Sequence, residues 1–75
     1  MPRTKSENKK LELLGNRVRE LRLQKNMTQQ ALALAIDKDK QSIQRLEAGG
    51  VNPSYLYLLQ ICEGLETTPA IVFDF

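Results

Sequence analysis

The chain has 75 residues, a formal net charge of +2, no histidine and one cysteine. That length makes one small domain, which buries roughly 60% of its unfolded surface, and with only two Tyr and two Phe its core must be aliphatic. An internal disulfide, a clustered zinc site and a membrane span of ~20 apolar residues are all excluded, and the polar opening MPRTKSENKK lacks the apolar segment of a secretory signal, so a cytoplasmic protein without metal or cofactor is expected.

Residues 1–8 read as a basic flexible arm. From about Lys9 to Lys25 a first helix is predicted, with Leu11, Leu14, Val18 and Leu21 on one face at helical spacing. Asn26 ends it, and Met27 is placed to plug the core. Thr28 is a hydroxyl N-cap before a run of good helix formers in which Ala31, Leu32, Ala35 and Ile36 recur at helical spacing. Asp37-Lys38-Asp39 interrupts that pattern, and Asp39 caps a third helix whose apolar pair is Ile43 and Leu46. On a 3.6-residue wheel Gln41, Gln44, Arg45 and Ala48 lie opposite that pair, with Lys40 and Ser42 at the flanks. Gly49-Gly50 stops this helix. Asn52-Pro53 reads as an N-cap and first turn for a fourth helix running to about Gly64, with Tyr55, Leu58, Ile61, Cys62 and Leu65 as its core stripe. Thr68-Pro69 opens a short fifth helix that ends in Ile71-Val72-Phe73-Asp74-Phe75. Cys62 is expected as a small core residue, since the chain has no histidine to activate a thiol.

The stretch from Thr28 to Gly49 resembles the helix-turn-helix of the Cro and repressor family of lambdoid phages, also called the XRE family. Thr28-Gln29, Leu32-Ala33, Ile36, Ser42-Ile43, Leu46-Glu47 and Gly49 carry the likeness, and its flanks extend it from about Leu14 to Phe73. Two positions depart from the pattern. Asp37 stands where Gly is usual, and Lys38 where an apolar residue is usual. Asp tolerates a left-handed backbone better than most residues, and Lys38 adds a cation beside the expected path of a DNA backbone. The resemblance implies an all-α fold, a compact five-helix lambda-repressor-like DNA-binding domain over residues 9–75 with the helix-turn-helix in helices 2 and 3. It also implies a scaffolding bridge between Arg22 and Glu47.

Side chains on the outer face of the third helix suit a major groove. Gln pairs bidentately with adenine, and Lys or Arg with guanine O6 and N7, which makes Lys40, Gln41, Gln44 and Arg45 the expected base-reading set; Arg45 serves equally well on a phosphate. Gln29, Thr28, Lys38, Ser42 and Asn52 are the expected phosphate contacts, the resemblance giving Gln29 that role and backbone amides at helix starts adding donors. Arg3, Lys5, Lys9 and Lys10 form either a DNA-following arm or a solvated tail.

Charge is segregated along the chain. All eleven cations lie between Arg3 and Arg45, among five acids, while from Leu46 onward there are four acids and no cation. A basic end of this kind suits a polyanion. The acidic end carries surplus apolar residues, and Leu56, Leu59, Ile71 and Phe75 are the expected seam of a homodimer, the alternative being simple burial. The leading expectation is therefore a homodimeric, sequence-specific double-stranded DNA-binding transcription regulator on a pseudo-palindromic operator. An antitoxin-like module that binds a partner protein through its last twenty residues is the alternative, and no acid–base constellation supports an enzyme.

Overall fold

A computed structural model describes residues 2–75, and they form five helices and no strand. The first, α1, spans Lys5–Gln24 and starts four residues before the expected Lys9. Its start is fixed by a capping box: the Thr4 hydroxyl accepts from the Glu7 amide at 3.1 Å, and the Thr4 amide donates to Glu7 Oε1 at 2.8 Å. These bonds hold the Glu7 carboxyl below its usual range. Residues 5–8 of the expected arm are thus helical, and Met1 lies outside the described residues. Helix α2 covers Gln29–Ala35, α3 Lys40–Glu47, α4 Tyr55–Gly64 and α5 Pro69–Val72. Thr28, Asp39, Ser54 and Thr68 cap them by accepting from the amide three residues on. Ser54 takes the role expected of Asn52, so α4 begins two residues past Pro53.

The first four helices end in the same way. Asn26, Asp37, Gly49 and Glu66 have φ of 56°, 57°, 76° and 54°, and each bends the chain out of its helix through a Schellman pair of hydrogen bonds. After α2, for example, the Lys38 amide donates to the Ala33 carbonyl at 2.8 Å and the Asp37 amide to that of Leu34 at 3.3 Å. Asp37 therefore adopts the left-handed turn that its place in the motif demands, without glycine.

The core is aliphatic. Leu14, Val18 and Leu21 from α1 meet Leu32 and Ala33 of α2 and its C-cap Ile36, Ile43 and Leu46 of α3, Ile61 and Cys62 of α4, then Leu65 and Val72. Burying a full-sized apolar side chain is worth about 1.5–3 kcal/mol, so this cluster is what holds short helices that would not persist alone. Burial also raises the Cys62 thiol above its ordinary range. Helix α3 packs against both α1 and α2, and α5 packs on α1 and α4. The α1–α3 approach is close because position 15 is glycine: a Cβ there would sit 2.5 Å from the carbonyl oxygens of Leu46 and Glu47. Two expected core positions are not core. Tyr55 is 72% exposed, because the later start of α4 leaves it on the first, unpacked turn, and Ala35 faces solvent while Ala33 is buried.

Candidate nucleic-acid interface

Helix α3 is built to present one face. Ile43 and Leu46 are fully buried while Lys40, Gln41, Gln44 and Arg45 are exposed, as the 3.6-residue period requires of a short helix pinned by one side. Asp39 secures its start: the Ser42 amide donates to Asp39 Oδ1 at 2.7 Å and the Ser42 hydroxyl to the same atom at 2.8 Å. Those two bonds lower the Asp39 pKa from its ordinary value. Ser42, expected to hold a phosphate through its hydroxyl, therefore has that proton committed within the helix.

The other end of α3 is locked from behind. Arg22 Nε donates to Glu47 Oε2 at 2.7 Å and Arg22 Nη2 to Glu47 Oε1 at 2.9 Å, both side chains being nearly buried. The bidentate geometry raises the Arg22 pKa further, and Arg22 Nη1 also holds the Met27 carbonyl at 2.8 Å. Gln29 Nε2 donates to Glu47 Oε1 at 3.1 Å, so the half-buried Gln29 is tied to this pair rather than loose at the helix start. The Thr28 hydroxyl accepts the Ala31 amide and retains its own proton for a phosphate. Lys38 and Asn52 are exposed.

Residues from three helices converge in front of this lock. An open concavity of about 900 Å³ is lined by Arg19 of α1, Thr28 and Gln30 at the start of α2, Lys40 and Gln44 of α3, and Ala48 just past its end. Arg19 and Gln30 escaped the sequence reading. Both are exposed polar residues without a local signal of their own, and only the packing of α1 against α3 brings Arg19 to this face.

The helix-turn-helix family model matches residues 18–72. The chain belongs to the helix-turn-helix family, XRE type. A search of curated protein sequences finds no match, whereas solved structures of this family match closely. The restriction-modification controller protein C.AhdI from Aeromonas hydrophila is 31% identical, with a TM-score of 0.83 over 85% of this chain and 97% of that one. The controller protein C.Esp1396I, solved as a tetramer with its natural operator, is 30% identical, with a TM-score of 0.79 over 85% and 84% of the two chains. The clp gene regulator ClgR from C. glutamicum is 31% identical, with a TM-score of 0.79 over 81% and 78%.

Outside the residues that line the concavity, the helix-turn-helix domain exposes apolar side chains. Leu56 is 70%, Ile71 47% and Phe75 60% exposed, and Phe73 joins them at 50%. Leu59, assigned to the same seam by sequence, is half-buried. Helix α5 is held in place by Arg17, whose Nη2 and Nε donate to the Ile71 carbonyl at 2.8 and 3.2 Å while its Nη1 pairs with Glu20. Among the described residues no helix is long and apolar enough to cross a membrane, and no group of His, Cys, Asp and Glu is arranged to hold a metal ion.

Proposed function

We propose that this helix-turn-helix protein is a sequence-specific regulator of transcription that acts in the cytoplasm by binding double-stranded DNA, not by catalysis. Helix α3 enters the major groove. Lys40, Gln41 and Gln44 meet base edges, and Arg45 meets a base or a phosphate. Thr28, Lys38 and Asn52 contact the backbone, with Gln29 held toward it by Glu47 and Ser42 joining at the α3 flank by turning its hydroxyl proton from Asp39 to a phosphate. The observation that carries this reading is the exposed polar face of α3, set by the buried Ile43 and Leu46 and locked by Arg22–Glu47. A relative of the same fold solved on its operator supports it.

Two copies joined through Leu56, Ile71 and Phe75, with Leu59 at the margin, would set two α3 helices roughly 34–36 Å apart on a pseudo-palindromic operator. The same apolar surface suits a partner protein in the antitoxin-like reading, and size-exclusion chromatography separates the two, a stable dimer of the isolated chain favouring the operator dimer. Selection from a random duplex pool tests the function. A twofold-symmetric sequence should be enriched, and its affinity should fall steeply with salt as counterions are released. Absence of any enriched sequence would overturn the regulator reading.

A further inference from the structure

The hydroxyl of Tyr57 is buried and has no hydrogen-bond partner among the described residues. A buried donor left unpaired costs the folded protein stability, and the Tyr57 hydroxyl has that hydrogen bond to offer a partner from outside the chain. The Tyr57 amide donates to the Ser54 cap at 3.1 Å, but its side chain belongs to no base-reading face; it lies on the first turn of α4, beside Ser42 and Arg45 of α3. The Lys38 ammonium stands 5.4 Å from its ring centroid, within cation–π range. Beside the ring, Ser42 and Arg45 of α3 together with Gly50 and Val51 line a depression of about 250 Å³. Burial, then the nearby Asp39 charge, raises the phenol above its ordinary pKa against the opposing pull of Arg45. Tyr57 is therefore a neutral donor at physiological pH.

We propose that Tyr57 is a DNA-positioning residue whose hydroxyl takes up a phosphodiester oxygen in this depression, between the Lys38 and Arg45 side chains. The chemistry selects that ligand. Two exposed cations flank a neutral donor, and the Asp39 oxygen nearest the helix start already accepts both Ser42 donors. A rotamer change of the exposed Lys38 or Arg45 side chain gives the phosphate access. The proposal rests on the DNA-binding reading and assigns Arg45 to the backbone rather than to a base. It also joins two residues the motif leaves unexplained, the cation at a usually apolar turn position and the tyrosine opposite it.

Tyr57→Phe removes the hydroxyl alone and tests the idea on the full chain, titrated with its selected duplex and with a random one. Loss of one hydrogen bond to a charged group should weaken both about tenfold. The salt slope should stay at the parent value, because no charge is removed, and the melting temperature should hold or rise. Lys38→Gln and Arg45→Gln should each weaken both duplexes and reduce the salt slope by about 0.9. Parent-like binding by Tyr57→Phe, a loss confined to the selected duplex, or a lowered melting temperature would each overturn the assignment. Failure of the parent chain to bind any duplex would instead refute the regulator reading.

Discussion

Arg22 and Glu47, 25 residues apart, face each other through two parallel hydrogen bonds of 2.7 and 2.9 Å at the junction of α1, α2 and α3. Because Glu47 Oε1 also accepts from Gln29, one carboxylate links the scaffold helix, the start of α2 and the end of the recognition helix. Removing one partner of a nearly buried ion pair strands the other charge. Arg22→Ala should therefore destabilise the domain by about 3 kcal/mol, read as a lowered urea midpoint with an unchanged slope. A midpoint equal to the parent's would show that the pair is screened by water.

Gly15 is required by distance rather than by backbone conformation. Its missing Cβ leaves room for the Leu46 and Glu47 carbonyls, and backbone atoms cannot swing aside as a side chain can. Gly15→Ala should cost about 1–3 kcal/mol despite the higher helix propensity of alanine. Thermal melts decide the sign, and a stabilised variant would mean that α1 and α3 separate without penalty.

Glu66 supplies the left-handed residue after α4 at φ 54°, a conformation that disfavours a side chain. Glu66→Gly should gain about 0.5 kcal/mol, the relief of strain outweighing the added entropy of the unfolded chain. Calorimetry should record a melting temperature a few degrees higher. A lower one would place the entropic cost above the strain.

Gln41 is exposed on the outer face of α3. Gln41→Ala should forfeit about 1–3 kcal/mol of discrimination at one base pair while leaving affinity for random duplex nearly intact, since base contacts specify and phosphate contacts position. Competition titrations measure both, and equal losses on the two duplexes would remove Gln41 from the reading set.

Ile71→Glu introduces a charge into the exposed apolar surface of α4 and α5 without touching the buried Val72. The variant should remain folded, sediment as a monomer and bind its operator much more weakly, because two linked recognition helices share one binding event. Persistence of the dimer would move the seam elsewhere.

Local pattern along the chain was enough for the helices, the turn between α2 and α3, and the face that α3 presents. Caps such as Thr28, Asp39 and Thr68 bond to amides three residues away, and the buried face follows from a period of 3.6, so both are local and legible. Even local reading erred where two candidates competed: Thr4 with Glu7 outdid Lys9 as a start for α1, and Ser54 outdid Asn52 for α4. Pairing at a distance was beyond the reach of local pattern. Arg22 with Glu47 was supplied by resemblance alone, whereas Gly15 against the end of α3, Arg17 on the Ile71 carbonyl, Arg19 in the concavity and Lys38 over Tyr57 carry no spacing signal. Their partners lie in other helices, and which side chains meet depends on how closely and at what rotation those helices pack.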